Sequence, residues 1–327
     1  MSTLKWNNKK VKLEKAREWI KDSFDECVEV IGPIEIFRSN DWGITSLFEI
    51  KTGQDTKSVV LKIGFLSIFK PSVSIYETLS KLHSKHLPTF LCGETKENFT
   101  WLVFEKFDAQ LVRELDSRSA YRKMGKTMGR IQKELAPIVK LDDKIPSLPI
   151  GKLAVLLPDF VKDKYAKYKG VWKDKLSNQD VKVIIENVTK ILSQLNEKLV
   201  SIHHLDFHGK NAAIDNRTGE VILFDFEEAV ITHPFFTLDK LLREVKELDK
   251  VTDKNNGWTS VQQDIIHAYL EVFGKSQKEF DLAMVVAPIV EAYLGSFFIK
   301  EVGWENLEPD LYLDSFMITK ERLSLLS

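Results

Sequence analysis

Apolar and polar residues follow different patterns in two parts of this chain. Up to about residue 105, short apolar runs bounded by polar segments are typical of strands. These runs predict strands near Ile34, Leu47, Val59, Phe90 and Leu102. Helical patterns occupy residues 13–24 and the stretch around Glu77, which follows Pro71. The first third is therefore predicted to form a small sheet with one helix before it and one beside it.

After residue 105, apolar residues recur at helical spacing. Predicted helices cover residues 181–195, 237–248, 259–273, 280–300 and 311–326. We therefore predict an α+β chain with two lobes, a strand-rich lobe at residues 1–105 and a largely helical lobe at residues 106–327. The triplet Gly-Lys-Thr at 125–127 lies in a helical stretch with no preceding strand, so it does not indicate a phosphate-binding P-loop.

Three polar side chains follow the helix at 181–195 in an informative order. Residues 204–211 read His-Leu-Asp-Phe-His-Gly-Lys-Asn, and Asp225 ends an apolar strand beyond a turn at 216–219. That turn can bring Asp206, Asn211 and Asp225 together. In phosphoryl transfer by kinases, an Asp accepts the proton of the attacking hydroxyl, while an Asn and a second Asp hold the metal ions. The spacing thus predicts a magnesium and phosphate site.

The same segment leaves a second interpretation open. His204, Asp206 and His208 stand at alternate positions, so an extended backbone would aim all three the same way, as in a metal-dependent hydrolase. His233 and His267 alone remain downstream to complete such a site. We instead expect His203 and His204 to pack or hydrogen-bond beneath the loop.

Residues 204–211 and 224–228, Phe-Asp-Phe-Glu-Glu, resemble the motifs of the aminoglycoside phosphotransferase and choline kinase family. The resemblance extends from about residue 34 to residue 298. It implies a protein-kinase-like fold with an antiparallel N-lobe sheet, Asp206 as catalytic base, and Asn211 and Asp225 as magnesium ligands. Two departures are visible. Leu205 stands where the family usually has Gly, and Gly209-Lys210 replaces its usual Pro-Gly.

A kinase-like site also needs a strand lysine that holds the nucleotide phosphates and a helix carboxylate that holds the lysine. Lys62 lies in an apolar run, and Glu77 is the one carboxylate between Asp55 and Glu94. We therefore predict a Lys62–Glu77 ion pair. The alternative is a solvated lysine on an edge strand and a surface glutamate.

Other nucleotide contacts are predicted from two connections. The turn at residues 39–43 could fold over the phosphates, with backbone N–H groups from Ser39, Asn40 and Gly43 as donors. Its single glycine fits a plain hairpin equally well. The end of the strand near Leu102, with Glu105 and Phe107, is expected to connect the lobes and contact the base. The side chains there leave ATP and GTP as alternatives.

Composition limits the other classes of function. The 327 residues are 43% hydrophobic and 29% charged, with a net charge of -1, so no basic excess supports nucleic-acid binding. Two cysteines, Cys27 and Cys92, and a polar amino terminus without a signal peptide predict a cytoplasmic protein. The apolar stretch 282–299 contains Pro288 and Glu291, which favours a buried helix over a membrane span.

The acceptor is predicted to be a small-molecule hydroxyl compound. Between Asp225 and Thr237, where we expect a capped helix to begin, little room remains for a peptide-binding segment. The acidic segment 301–314 with Trp304 would suit an aminoglycoside, an amino sugar or an amino alcohol, whereas the basic segment 162–173 points to the opposite charge. A protein Ser/Thr kinase and a non-catalytic nucleotide-binding scaffold stay as alternatives.

Overall fold

The computed structural model describes residues 9–24, 29–96, 99–139, 143–246, 257–274, 277–304 and 309–325. The strands are β1 (Glu29–Ser39), β2 (Gly43–Thr52), β3 (Asp55–Gly64), β4 (Phe90–Lys96), β5 (Phe99–Glu105), β6 (Ala109–Leu111), β7 (Ser201–His203), β8 (Ala212–Asp215), β9 (Val221–Leu223) and β10 (Val230–Thr232). The helices are α1 (Lys9–Asp22), α2 (Ser72–Ser80), α3 (Val112–Leu115), α4 (Arg118–Val139), α5 (Ile150–Trp172), α6 (Asn178–Leu192), α7 (Leu238–Val245), α8 (Ser260–Phe273), α9 (Gln277–Val302) and α10 (Pro309–Ser324). Short 3-10 helices cover Ser67–Phe69 and Pro234–Thr237.

The N-terminal lobe is a five-stranded antiparallel sheet in the order β1-β2-β3-β5-β4. Its pleat follows the sequence alternation, since Val59, Leu61 and Ile63 of β3 are buried on the face that α1 covers. Helix α2 packs against β4 and β5. All five predicted strands and both predicted helices of this part are confirmed.

The C-terminal lobe is a helical bundle with a large core. Helix α4 packs on α8, α5 packs on α6, and α9 packs on α10. Residues 125–127 lie inside α4. The predicted helices at 181–195, 259–273, 280–300 and 311–326 correspond to α6, α8, α9 and α10. The predicted two-lobed α+β fold is confirmed.

Helix α9 is the one described helix whose length and hydropathy would let it cross a membrane. Half of its apolar window is buried within the protein. It contacts α5, α6, α7 and α10, so it packs as the central helix of the C-terminal lobe.

Two predictions for the segment after β10 need correction. The helix predicted at 237–248 is preceded by a 3-10 turn at Pro234–Thr237 and begins at Leu238, while residues 247–256 lie outside the described residues. The expected side-chain cap by Thr237 does not form. The Thr237 hydroxyl instead accepts hydrogen bonds from Gln132 Nε2 (3.0 Å) and from the backbone N–H of His204 (3.3 Å). It therefore supports the loop that follows β7.

Candidate active site

The predicted catalytic loop runs from the end of β7 to the start of β8. The carboxylate of Asp206 accepts hydrogen bonds from His208 Nε2 (3.1 Å) and Asn211 Nδ2 (3.0 Å) and forms a short ion pair with Lys240. Burial by itself would raise the pKa of Asp206, but the His208 hydrogen bond and the Lys240 charge outweigh it and hold this pKa well below its usual range. The carboxylate is therefore ionised, as a general base must be.

His204 lies under this loop and ties it to the strand that carries Asp225. Its Nε2 donates to the carbonyl of Phe224 (2.9 Å), and its ring lies against Phe226. Burial lowers the pKa of His204, so the ring is neutral. The expectation that His203 and His204 support the loop is confirmed. Among the described residues, no group of three or more His, Cys, Asp or Glu side chains could hold a metal ion, and His204 Nε2 is already bonded to the Phe224 carbonyl.

The hairpin from β8 to β9 brings Asp225 back to Asn211. Asp215 Oδ1 accepts from the N–H groups of Arg217 (2.9 Å) and Thr218 (2.8 Å), and Gly219 takes a φ of +67° to close the turn. The backbone N–H of Phe224 then donates to the carbonyl of Asn211 (3.1 Å). Asp206, Asn211 and Asp225 are thus brought to one site by the predicted turn.

Asp225 and Asn211 have the donor chemistry for a magnesium ion. Asp225 has a φ of +70°, a left-handed conformation that few non-glycine residues adopt and that often marks a functional position. Both hydrogen bonds of Asn211 Nδ2 go to Asp206, to its backbone oxygen (2.8 Å) and its carboxylate. The Asn211 amide oxygen accepts no hydrogen bond from the described residues. Oxygen ligands of this kind suit magnesium.

The predicted Lys62–Glu77 ion pair is wrong. Lys62 Nζ contacts Asp225 Oδ1 at 2.5 Å and forms a shorter ion pair with Glu227 Oε1. Burial would lower the pKa of Lys62, but these two carboxylates outweigh it and raise this pKa. Glu77 is exposed on α2 and has no ion-pair partner among the described residues. The carboxylate that holds the lysine therefore comes from the loop after Asp225.

Tyr76 takes the inward position on α2 that Glu77 was expected to occupy. Its hydroxyl accepts from the backbone N–H of Phe226 (3.0 Å) and lies 3.3 Å from Glu227 Oε2. Ser72, one turn earlier, donates to the carbonyl of Glu227 (3.2 Å). Helix α2 thus fixes Glu227 and, through it, Lys62. In the sequence, Glu227 stood out only as a member of the motif at residues 224–228.

The turn between β1 and β2 differs from the predicted phosphate cradle. Asn40 Oδ1 accepts from the N–H groups of Trp42 (3.2 Å) and Gly43 (2.8 Å), and Asn40 N–H donates to the carbonyl of Gly43 (3.0 Å). The proposed donors of Asn40 and Gly43 are therefore already used within the turn. A Cβ at Gly43 would come within 2.9 Å of the Ile63 carbonyl, so this position requires glycine. Ser39 is exposed and lies outside the cleft lining.

The connection between the lobes carries the other predicted nucleotide contacts. Glu105 is exposed, and its N–H donates to the carbonyl of Thr89 (2.9 Å). The Phe107 ring lies 5.9 Å from that of Phe224. Neither residue lines the main cleft. Their contact with a base stays a prediction.

A cleft of about 510 Å³ lies between the lobes and contains Lys62, Asp206 and Asp225. Glu228 and Glu291 also line this cleft. Glu228 makes no hydrogen bond or ion pair with the described residues, and burial together with Asp206 and Asp225 raises the pKa of Glu228 to about 7. The cleft therefore contains one acidic side chain, Glu228, without an ion-pair partner among the described residues, whereas Glu291 pairs with Arg243.

The basic segment 162–173 does not reach this cleft. It lies on α5, where Tyr165, Tyr168 and Trp172 are buried in the C-terminal core. Trp304, from the acidic segment, does line the cleft, while residues 305–308 lie outside the described residues.

Aromatic rings join the lobes at the cleft mouth. Trp42, on the β1–β2 turn, makes edge contacts with Phe298 (5.4 Å between ring centroids) and Trp304 (5.5 Å). Glu301 Oε2 accepts from the Ser67 N–H (2.7 Å) on the same side. These contacts place the β1–β2 turn directly on the end of α9.

Helix α7 adds charges that sequence analysis missed. Asp239 is fully buried and pairs with Arg243 (3.0 Å) and, at shorter range, with Arg322. Lys240, the next residue, points to Asp206. A lysine at the start of a short helix has no motif around it, so the sequence alone carried no signal for it.

A strand-rich lobe and a helical lobe around a cleft lined by two aspartates, with Asn211 held against one of them, define the protein-kinase-like class of folds. Known structures share the whole architecture. A candidate aminoglycoside phosphotransferase from Ralstonia eutropha matches 95% of this chain and 98% of its own, with a TM-score of 0.65 and 10% identity. Choline kinase from Cryptosporidium parvum covers 96% of both chains, with a TM-score of 0.59 and 12% identity.

A spectinomycin phosphotransferase solved with ADP and spectinomycin covers 94% of this chain and 93% of its own, with a TM-score of 0.53 and 12% identity. At these identities the likeness establishes the fold. The fold is the one that the sequence resemblance implied. No protein-family model and no curated protein sequence matches the chain.

Proposed function

We propose that this protein transfers the γ-phosphate of ATP or GTP, with magnesium, to a hydroxyl group of a small molecule that carries an amine. The observation that carries the proposal is a cleft lined by Asp206, Asp225 and Lys62, in which Asn211 holds the Asp206 carboxylate by a hydrogen bond. Aminoglycosides, amino sugars and amino alcohols are the acceptor classes that we favour.

Each group has a part in this chemistry. Asp206, ionised and facing the cleft, would accept the proton of the acceptor hydroxyl. Lys62 would bind the nucleotide phosphates while Glu227 holds it in place. Asn211 and Asp225 would hold magnesium, which when bound neutralises phosphate charge. The residues present fit that role, because the Asn211 amide oxygen is left without a donor among the described residues.

A small acceptor is favoured over a peptide by the burial of the segment after the site. Residues 229–239 are all buried, in β10, the 3-10 turn and the first turn of α7. Peptide substrates need an exposed extended segment there to position the hydroxyl. The cleft instead offers a pocket of about 510 Å³, a size that suits a small ligand.

An amine in the acceptor is favoured by the acidic residues that line the cleft. Glu228 makes no hydrogen bond or ion pair among the described residues, and Glu291, which pairs with Arg243 through Oε2, leaves its Oε1 buried without a hydrogen bond. Burying carboxylates without a counter-charge is costly. A cationic amine beside the acceptor hydroxyl would offset that cost, with Trp304 as a neighbouring aromatic face.

The test is an acceptor screen with radiolabelled ATP and GTP over amino sugars, choline-like alcohols, neutral sugars, homoserine and Ser/Thr peptides. We expect labelling of an amine-bearing acceptor and none of the peptides. Efficient peptide labelling or autophosphorylation without a small acceptor would favour a protein kinase. Nucleotide binding without transfer to any acceptor would favour a non-catalytic scaffold.

The matched variant for this screen is Asp206→Asn. It should lower kcat by about 10²- to 10⁴-fold, because it removes the general base, and change nucleotide affinity by less than about threefold. Asp159→Asn, on the exposed face of α5, is the control and should behave as wild type. Turnover close to wild type in Asp206→Asn would remove Asp206 from the role of base.

A further inference from the structure

The two carboxylate oxygens of Asp206 have different partners. Oδ2 accepts from His208 Nε2 (3.1 Å) and Asn211 Nδ2 (3.0 Å). Oδ1 is contacted by Lys240 Nζ and by no other side chain of the described part of the chain. Since Oδ2 already has two donors that fix the carboxylate, Oδ1 is the oxygen left to face an acceptor hydroxyl. Lys240 therefore occupies the reacting side of the base.

Lys240 lies at a position where a positive charge is unfavourable. It lies in the first turn of α7, where the helix dipole disfavours positive charge. Its side chain is 40% exposed and lines the cleft. Burial would lower the pKa of Lys240, but Asp206, Glu291 and Glu228 outweigh it and raise this pKa. The ammonium is thus kept charged within the cleft, whereas Lys246, the residue that follows the last turn of α7, is exposed.

The two lysines of the site serve opposite sides of the transfer. Lys62 extends from β3 toward Asp225 and Glu227, on the nucleotide side. Lys240 extends from α7 toward Asp206, on the acceptor side. A transferring phosphoryl group carries negative charge on its equatorial oxygens, and fixed cations beside it lower the barrier.

We propose that Lys240 is a catalytic residue, which moves from Asp206 Oδ1 to an oxygen of the transferring phosphoryl group when the acceptor binds. This role rests on the proposed phosphotransfer function. In the step, the acceptor oxygen forms a bond to the γ-phosphorus and the bond to the β,γ-bridging oxygen breaks. The hydroxyl proton passes to Asp206, and the nucleoside diphosphate leaves. Lys240 stays protonated throughout and donates hydrogen bonds.

The test compares Lys240→Met, Lys240→Arg and the control Lys246→Met in the full-length protein. Measurements are kcat and KM with the acceptor found in the screen, the ADP dissociation constant, thermal unfolding, and binding of ADP with aluminium fluoride, which mimics the transferring group. We expect Lys240→Met to lower kcat about 100-fold or more and to lose tight aluminium fluoride binding, with less than about threefold change in ADP affinity.

Lys240→Arg should restore at least about tenfold of the lost kcat, because it keeps the charge, and Lys246→Met should match wild type. If Lys240 served only as a structural ion pair, Lys240→Met would lower the unfolding temperature and leave kcat nearly unchanged, which would overturn the proposal. An increase in kcat would show that Lys240 inhibits the base, and would also overturn the proposal.

Failure of the underlying function is separable from failure of this role. If wild type transfers phosphate and Lys240→Met does so equally well, the Lys240 role alone fails. If wild type binds neither ADP nor ADP with aluminium fluoride, both fail. If it binds ADP without transferring to any acceptor, the aluminium fluoride measurement decides the role of Lys240.

Discussion

Glu228 is a residue of the candidate site whose charge changes with pH near neutrality. Burial, with Asp206 and Asp225 nearby, raises the pKa of Glu228 from 4.5 to about 7. A group with a raised pKa in the folded state binds its proton more tightly there than in the unfolded chain. Its contribution to stability is complete below about pH 4.5 and is lost as the pH rises through 7.

We therefore predict that Glu228→Gln is more stable than wild type above pH 7 and no more stable at pH 4.5. Each unit of pKa difference corresponds to about 1.4 kcal/mol, so the gain at pH 8 should be about 1–3 kcal/mol. Urea unfolding at the two pH values measures it. Asp159→Asn should show no such pH dependence, and equal effects of Glu228→Gln at both values would contradict the prediction.

The lysine of β3 depends on a different carboxylate from the one that sequence reasoning chose. Lys62 contacts Glu227, while Glu77 faces solvent. A double-mutant cycle of Lys62→Met with Glu227→Gln should give a coupling of about 1–3 kcal/mol in kcat/KM, because each change breaks the same pair. The parallel cycle with Glu77→Ala should be additive within about 0.5 kcal/mol. Coupling to Glu77 alone would show that the pair changes when nucleotide binds.

At the scale of elements, α2 explains why the wrong glutamate was chosen. The choice rested on chain position, since Glu77 was the one carboxylate near Lys62 in the sequence. The apolar stripe Ile75, Tyr76 and Leu79 was also readable, and it turns Glu77 about 100° away from the buried face. The face of α2 on which a residue lies decides whether its side chain can reach Lys62 of β3, and Glu77 lies on the wrong face.

Tyr76 is the residue through which α2 acts on the site. We predict that Tyr76→Phe lowers kcat/KM about tenfold and stability by about 1–2 kcal/mol, because the Phe226 N–H loses a buried acceptor and Glu227 a neighbour. Glu77→Ala, one residue away and exposed, is the matched control. Steady-state kinetics and urea unfolding check both effects. A loss of stability with unchanged kcat/KM would separate α2 from the chemistry.

Local patterns predicted elements well and long-range partners poorly. The turn at 216–219, which brings Asp225 to Asn211, could be predicted because turn residues hydrogen-bond to backbone groups only a few positions away in the sequence. Thr237 was expected to cap α7, yet its hydroxyl meets Gln132, more than a hundred residues earlier in the chain. Lys240 and Glu227 likewise acquire their partners through tertiary packing, which a single sequence does not encode locally.

At the scale of the whole molecule, the two lobes meet at the cleft, and the β1–β2 turn of the N-terminal lobe contacts the C-terminal lobe through Trp42. The β1–β2 turn was expected to offer backbone donors to phosphate, but Asn40 uses those donors to shape the turn. The turn presents Trp42 to the C-terminal lobe instead. Sequence reasoning placed Trp304 near the acceptor but had no means to pair it with a residue of the other lobe.

We predict that Trp42→Ala raises the acceptor KM about tenfold and leaves the unfolding temperature nearly unchanged, because the ring lies at the cleft mouth and not in a core. Trp19→Phe, on α1 away from the cleft, is the control. Acceptor titrations at saturating nucleotide provide the measurement. An unchanged acceptor KM in Trp42→Ala would mean that the turn does not border the acceptor.

The Trp42 contact with Phe298 and Trp304 is also expected to affect the rate of turnover. We predict that under the proposed function these rings separate before product leaves the cleft, so that the slow step of each cycle is a hinge motion against solvent friction. Turnover should then fall as sucrose thickens the solvent, and Trp42→Ala should lose that dependence. The fluorescence of Trp42 and Trp304 should change each time the rings separate, so the rate of this motion can be measured directly.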